Sequence, residues 1–197
     1  MVKLPESTEA LTDDELAAVT VGPAKAFGGK IELAPYDAEW PQLYEREAAH
    51  IRKILGDKVL LLEHVGSTSV PGLPAKPIID IDLQVPDTSD ENAYVPHLTL
   101  AGYVLTVREP EWYEHRMFKG PATNINLHVF GTRLDEVERH LLLRDWLRDW
   151  LREHPEDRDL YRDTKVELSR REFRNVNEYA SAKTRVVVEI LKRAGAR

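Results

Sequence analysis

The apolar residues of this chain recur at helical spacing in some segments and form short strand-like runs in others. Between residues 40 and 55 they recur every three or four positions, which predicts an amphipathic helix that ends at Gly56. The pattern TDDE at 12–15 is a capping box and predicts a short helix at about 13–19. Glycine and proline residues break the chain after that helix, so we expect residues 1–30 to form a loosely attached N-terminal arm.

Short aliphatic runs bounded by glycine or proline predict the strands of a small sheet. The two central strands are expected at 59–65 and 78–85, on either side of a loop rich in glycine and proline. A helix is predicted at 91–101, although Pro96 weakens its first half. Further strands are predicted at 31–33, 103–107, 115–119 and 124–130.

From Leu134 onward the apolar residues follow helical spacing, in three stripes of which His154-Pro155 separates the first two. We therefore predict an α+β fold, in which a small mixed sheet flanked by helices is followed by a C-terminal helical bundle. The predicted core spans 31–133, and the helical region packed on it spans 134–197.

The composition excludes several classes of protein. The chain has 197 residues, is 42% hydrophobic and contains no cysteine, which rules out disulfides and thiolate zinc sites. The N-terminus lacks a basic start followed by an apolar run, so we do not interpret it as a signal peptide, and we expect a cytoplasmic protein. No apolar stretch approaches the length of a membrane span, and the oligomeric state is left open.

The net charge of −7 argues against general nucleic-acid binding, which normally requires a basic surface. The charge is unevenly distributed: residues 1–138 carry a net −11 and residues 139–197 a net +4. Helix surfaces rich in paired charges explain this difference simply. A basic helical half that faces an acidic, metal-binding half across a polyphosphate is the second explanation.

Two aspartates in the second central strand carry the first chemical signal. Because side chains alternate along a strand, Asp80, Asp82 and Gln84 share one face, and the aliphatic residues between them share the other. The two aspartates lie about 6.6 Å apart along the backbone, so their oxygens can converge on one metal ion or bridge two. Carboxylate ligands suit Mg²⁺ or Mn²⁺. The alternative is a merely solvent-facing side of the sheet.

The turn that follows the first central strand carries the second signal. Gly66 lets the backbone approach a ligand, and the amides and hydroxyls of Ser67 and Ser69 can form an anion-binding nest. A Gly-Ser pair alone is also compatible with an ordinary hydrophilic turn. Combined with Asp-Ile-Asp inside an aliphatic strand after twelve intervening residues, it favours phosphate held between backbone amides and metal.

The stretch HVGSTSVPGLPAKPIIDIDL resembles the diagnostic motif of the GrpB family, and more broadly the signature of the polymerase-β-like nucleotidyltransferase superfamily. The resemblance extends from about Ile31 to Leu191 and includes Tyr36, Trp40, His115-Arg116, Asn126-Leu127-His128-Val129, RDWLRDWLREHP, Tyr179 and Lys183. It implies a nucleotidyltransferase-like fold and a presumed transfer activity.

One position departs from the wider superfamily, whose members have a third carboxylate on a later strand. The matching strand here offers Asn124, Asn126 and His128, as the resemblance to GrpB members implies. His128 can ligate metal or serve as a base, because imidazole titrates near neutral pH. A purely structural histidine is the equal alternative.

Four further cationic residues are candidates for phosphate contact. Lys76 lies between the turn and the aspartate strand, and Arg116 on the polar face of its strand would bind a phosphate bidentately. An ordinary surface pair is the alternative for His115 and Arg116, and it is slightly favoured for His115. Lys165 and Lys183 fall within apolar helical stripes, so they either extend to the surface, pair with an acid or point into a polar cleft.

The leading hypothesis is a metal-dependent nucleotidyltransferase that moves a nucleotidyl group from an NTP to a small-molecule acceptor. Its metal ligands would be Asp80 and Asp82, its base or auxiliary ligand His128, and its phosphate contacts Gly66, Ser67, Ser69, Lys76, Arg116, Lys165 and Lys183. A non-catalytic nucleotide- or metabolite-binding module is one alternative. A repurposed small-molecule enzyme, such as a ligase, is another, since fold does not fix function.

Overall fold

The computed structural model of the chain describes residues 10–22, 29–121, 124–132 and 147–195. Residues 147–153 are helical and are labelled α4. The other elements, in chain order, are α1 (Asp13–Val19), β1 (Gly29–Lys30), α2 (Trp40–Leu55), β2 (Leu61–Val65), β3 (Ile79–Gln84), α3 (Val95–Leu100), β4 (Val104–Glu109), β5 (His115–Lys119), β6 (Ile125–Phe130), α5 (Pro155–Ser169), β7 (Glu172–Phe173) and α6 (Val176–Arg193).

A five-stranded mixed sheet with the order β2-β3-β6-β5-β4 forms the centre of the molecule. The β3 and β6 strands run parallel, and every other neighbouring pair in this sheet is antiparallel. The predicted α+β class, with a mixed sheet flanked by helices, is confirmed.

The two faces of the sheet differ in chemistry. One face carries Ile79, Ile81 and Leu83 of β3, which are buried in the main core together with apolar residues of α2 and α3. The other face carries Asp80 and Asp82, because alternate side chains of a strand point in opposite directions. The central strand therefore anchors the core on one side and presents carboxylates on the other.

The C-terminal helices pack against the loop between β2 and β3. Val70 and Leu73 of that loop are buried in a second apolar cluster with residues of α4, α5 and α6, including Leu151, Tyr161 and Ile190. This packing brings the last quarter of the chain beside the polar face of β3.

Several predicted boundaries need correction. The strand expected at 31–33 is instead Gly29–Lys30, which pairs antiparallel with Glu172–Phe173. The expectation of uniform helix after Leu134 is therefore wrong at that short strand, and residues 133–146 lie outside the described ranges. The helix expected at 91–101 begins as a 3₁₀ turn and becomes α-helical only around Pro96, which occupies its first turn.

The described part of the N-terminal arm is attached to the edge of the sheet. Thr20 forms an antiparallel bridge with Val107 of β4, and the Val21 amide donates a 2.9 Å hydrogen bond to the Thr106 carbonyl. These two contacts connect the described part of the arm to β4. Within the described ranges, none of the helices has the length and apolar character that a membrane crossing requires.

Candidate functional site

The Gly66 turn contacts the carboxylate of Asp80 directly. The β2–β3 register pairs Val65 with Asp80, so the residue that follows Val65 lies beside the aspartate. Gly66 has φ +71° and ψ −172°, a conformation that is essentially restricted to glycine. A Cβ atom at this position would lie 2.5 Å from Oδ2 of Asp80, so glycine is required for this approach.

The two aspartates share a face but differ in accessibility. Asp80 and Asp82 pair in register with Asn126 and His128 of β6. The Asp80 side chain is 27% exposed, whereas Asp82 is fully buried. Among the described residues, Asp80 helps to line two adjacent cavities and Asp82 lines neither of them. Asp80 is therefore the carboxylate that a ligand in these cavities would meet first.

The Ser67–Ser69 turn is held by its own hydrogen bonds. The Ser69 hydroxyl donates a 2.6 Å hydrogen bond to the Gly66 carbonyl, and the Thr68 hydroxyl donates to the Ile78 carbonyl. Ser69 is buried and Ser67 lines both cavities. The expected phosphate contact through the Ser69 hydroxyl is corrected accordingly: Ser69 shapes the turn, and Ser67 faces the cavities.

Three lysine side chains from distant parts of the chain converge beside Asp80. Lys76, Lys165 and Lys183 line one cavity of about 190 Å³ together with Asp80 and His128. Lys183 also lines the adjoining cavity of about 220 Å³, which Arg148 borders. The amine of Lys165 donates a 2.5 Å hydrogen bond to the Pro74 carbonyl. The sequence allowed Lys165 and Lys183 to reach the surface, to pair with an acid or to point into a polar cleft. Both line the polar cavity.

Burial and mutual repulsion make these lysines unusual. Burial, followed by the charges of Lys183 and Lys76, lowers the pKa of Lys165 to about 6. Burial and the charge of Lys183 lower the pKa of Lys76 to about 8. The Lys183 amine lies 4.6 Å from the centroid of the Tyr179 ring, where the aromatic face supports its charge. An anion in this cavity would relieve the repulsion among the three amines.

A chain of polar side chains extends from Asp80 across the polar face of the sheet. The Nε2 atom of His128 lies 3.8 Å from Oδ1 of Asp80, and its Nδ1 atom lies 3.0 Å from Nε2 of His115. The Nδ1 atom of His115 lies 2.6 Å from a carboxylate oxygen of Glu109. Asn126 donates a 2.7 Å hydrogen bond to Oδ1 of Asp80. These contacts fix the orientation of the His128 ring.

Arg116 lies on the face opposite to the expected one. It pairs with Val129, and its guanidinium donates a 2.6 Å hydrogen bond to Glu91 and another to the Glu114 carbonyl. Arg108 and Arg116 lower the pKa of Glu91 to about 2. Arg116 is therefore a structural ion-pair residue and is removed from the phosphate contacts.

His115 and Glu109 are site residues that the sequence analysis missed. Strand alternation placed His115 and Arg116 on opposite faces, but only the register with His128 shows which face holds the site. From the sequence alone, strand alternation indicated that only one of the two residues could lie on the face that holds the site. Choosing between the two residues required the pairing of β5 with β6.

The residues around Asp80 fit a divalent cation that arrives together with phosphate. Within the described ranges, no group of three or more candidate side-chain donors is close enough to hold a metal ion. Mg²⁺ is commonly bound by one or two carboxylates, with substrate phosphates and water completing its shell. The Asp80 carboxylate beside the Gly66 turn, supported by Asp82 on the same face, meets that requirement.

Comparison with known proteins places this site in a family. A family model described as GrpB protein matches residues 30–193. A UPF0157 protein of Halalkalibacterium halodurans is 55% identical over 185 residues, covering 94% of this chain and 93% of that protein. A UPF0157 protein of Streptomyces coelicolor is 41% identical over 167 residues, covering 85% and 86% respectively.

A solved structure agrees with these matches. The crystal structure of the conserved protein GrpB from Enterococcus faecalis superposes with a TM-score of 0.69 at 25% identity, covering 82% of this chain and 98% of that one. The matched region contains the turn, the aspartate strand and all three lysines of the site. The chain belongs to the GrpB family.

Proposed function

We propose that this protein is a metal-dependent nucleotidyltransferase that moves a nucleotidyl group from an NTP to a small-molecule acceptor, in the cytoplasm. One observation carries the proposal: the Gly66–Ser67 turn, the Asp80 carboxylate and the three lysine amines border the same pair of adjoining cavities. An anion with several charged oxygens would match this combination of amides, hydroxyl and amines.

The triphosphate would lie between the turn and the C-terminal helices. Ser67 would bind it from the sheet side, and Lys183, which reaches both cavities, would bind it from the helical side. Lys76 would neutralise part of the remaining charge, and Lys165 would take up a proton when the anion binds and neutralise more of it. Charge-assisted hydrogen bonds of this kind contribute about 1.5–3 kcal/mol each, so losing one amine is expected to weaken binding about 10- to 100-fold.

Asp80 would ligate Mg²⁺ or Mn²⁺ from the cavity, and Asp82, buried on the same face of the strand, would be the second carboxylate beside the ion. The bound ion would supply charge stabilisation at the phosphate oxygens. The acceptor hydroxyl oxygen would form a bond to the α-phosphorus, and the bond from that phosphorus to the bridging oxygen would break, so pyrophosphate leaves. His128 would take the hydroxyl proton, because its ring is held beside Asp80 by the contact with His115.

Calorimetry with Mg²⁺–ATP tests the binding step. The wild type is expected to bind, and Asp80→Asn and Lys183→Met are each expected to bind at least tenfold more weakly. Asp57→Asn, at an exposed aspartate after α2, is the control and should match the wild type. Thermal unfolding of each variant separates lost binding from lost folding. Equal affinity in all four proteins would refute the proposal.

A non-catalytic nucleotide- or metabolite-binding module is the second candidate. The specific observation that favours it is the polar face of β6, which offers Asn126 and His128 where the related superfamily has a third carboxylate. In addition, Asn126 already donates a hydrogen bond to Asp80. Release of pyrophosphate from Mg²⁺–ATP with any member of an acceptor panel would exclude this candidate. Tight binding without turnover would favour it.

A further inference from the structure

A third cavity, of about 660 Å³, lies between α1 and the segment that joins β4 to β5. We propose that this arm cavity binds the acceptor, and that the acceptor is a hydroxyl-bearing small molecule with an apolar body and a neutral or positive charge. The assignment as acceptor site rests on the transferase activity proposed above, whereas the binding site and its ligand class rest on the cavity itself.

The wall of the arm cavity suits an apolar molecule. It is formed by Leu11, Ala18 and Val19 on the arm and by Pro110 and Trp112 on the other side. Trp112 lies edge-on to His115, with ring centroids 5.3 Å apart. Small-molecule sites commonly combine such apolar walls with a few polar groups, and their volumes range from about 300 to 1,000 Å³.

The charged groups around the arm cavity select against anions. Glu15, Glu109 and Glu111 contribute carboxylates, of which Glu15 accepts a hydrogen bond from Thr12 and Glu109 lies 2.6 Å from His115. Arg108 contributes the single Lys or Arg charge among the described lining residues. Arg108 is already held by Glu91 through two hydrogen bonds of 2.7 Å. The lysine-lined cavity is rich in positive charge instead. A polyphosphate would therefore bind in the lysine-lined cavity, and a neutral or cationic acceptor would bind in the arm cavity.

His128 connects the two cavities. Its side chain lines both the arm cavity and the lysine-lined cavity, and its Nε2 atom lies 3.8 Å from Asp80. An acceptor in the arm cavity would therefore have to extend its hydroxyl group past the His128 ring, so that the oxygen meets the α-phosphorus within the lysine-lined cavity. The acidic lining of the arm cavity is the reason for assigning the acceptor, rather than a second nucleotide, to it.

The test uses three small aromatic probes without any nucleotide. Tyramine is cationic, 4-methylphenol is neutral, and 4-hydroxyphenylacetate is the matched anion. Ala18→Trp would fill the cavity from α1, and Ala17→Trp adds the same side chain at the neighbouring exposed position of that helix, outside the described lining. Binding is measured by calorimetry and by the change in tryptophan fluorescence in the full-length chain.

We expect tyramine and 4-methylphenol to bind the wild type and Ala17→Trp equally, and Ala18→Trp at least tenfold more weakly. The anionic probe should bind the wild type more weakly than the other two. No probe binding to the wild type, as would follow if another segment of the chain occupied the cavity, overturns the proposal. Equal binding to the two tryptophan variants, or preference for the anion, overturns it as well.

A parallel titration with Mg²⁺–ATP separates this inference from the proposed function. If ATP binds and no probe binds, the assignment of the arm cavity as a binding site is wrong and the transferase proposal stands. If the two probes bind as expected and ATP does not, the cavity is a binding site and the transferase proposal fails.

Discussion

At the residue scale, the site depends on the contact between Gly66 and Asp80. The backbone of Gly66 adopts a conformation that residues with a side chain rarely adopt, and the space where a Cβ would lie is taken by the Asp80 carboxylate. The same geometry brings the turn beside the proposed metal ligand Asp80. One missing side chain thus determines both the local backbone and the approach of the two functional groups.

Gly66→Ala is expected to lower the free energy of unfolding by about 1–3 kcal/mol from backbone strain, and to displace the carboxylate. We expect it to weaken Mg²⁺–ATP binding at least tenfold, measured by calorimetry beside thermal unfolding. Gly72→Ala is the matched control, because Gly72 has φ +78° but nothing within 4 Å of the added Cβ. That control should lose some stability and keep wild-type affinity. Identical affinities would contradict the role assigned to this contact.

Site residues close together in sequence were largely recognisable from the sequence. Gly66, Ser67 and Asp80 fall within one motif, and a short loop between two antiparallel strands limits how far apart they can be. The prediction that Arg116, rather than His115, contacts the ligand was wrong. Which of the two faces the site depends on how β5 pairs with β6. Pairing register is a property of two strands together, so one strand alone does not reveal it.

At the scale of elements, side-chain caps begin both α1 and α6, but the two helices differ in how much they contribute to the stability of the molecule. The Thr12 hydroxyl accepts from the Glu15 amide, and the Asn175 side chain accepts from the Glu178 amide. The α1 helix has no buried residue, whereas α6 buries four, including Tyr179 and Ile190. We therefore expect α1 to open locally and α6 to open only with the whole molecule.

Removing either cap is expected to remove about 1 kcal/mol of local helix stability. Asn175→Ala should lower the midpoint of thermal unfolding by about 2–4 °C, as this loss implies for a chain of this size. Thr12→Ala should leave the midpoint nearly unchanged and accelerate hydrogen exchange in α1. Calorimetry and hydrogen-exchange mass spectrometry make the two measurements. A fall of the midpoint in Thr12→Ala as large as in Asn175→Ala would contradict independent opening of α1.

Element prediction succeeded where the pattern was local. The α2 helix has the predicted bounds because its apolar spacing extends over four turns and Gly56 ends it. The pair formed by β1 and β7 was not predicted, because each strand has only two residues and its partner lies more than a hundred residues away. Such short segments carry too little periodicity to indicate a strand.

At the scale of the molecule, docking of the C-terminal helices onto the sheet creates the lysine cluster. Lys165 on α5 is buried against the Pro74 carbonyl, and Lys183 on α6 approaches the same cavity. Burying an amine among other amines opposes folding, since its protonated form loses hydration and is repelled. The arrangement is typical of a binding site, where stability is reduced for the sake of a ligand.

The burial of the Lys165 amine predicts that the stability of the protein depends on pH. The pKa of Lys165 is about 6 in the folded chain and roughly 10.4 for an ordinary lysine, so between these values the unfolded chain binds more protons. The free energy of unfolding should therefore rise between pH 6.5 and pH 9. Lys165→Met should show a shallower rise in urea unfolding and weaker Mg²⁺–ATP binding.

Lys53→Met, which removes an exposed lysine of α2, is the control and should keep the wild-type slope. If Lys165→Met and the wild type have the same slope, Lys165 is not the buried amine responsible for the pH dependence.

The sequence by itself determined the local features of this protein: most helices and strands, the α+β class, the GrpB motif and the Gly66–Asp80 pair. These follow from side-chain periodicity and from turn chemistry, which act over a few neighbouring residues. Only the tertiary structure decided that Lys76, Lys165 and Lys183 share one cavity, that His115 and not Arg116 joins the site, and that a further cavity adjoins His128. Contacts between distant segments depend on strand register and helix docking, which are set by the packing of the whole core.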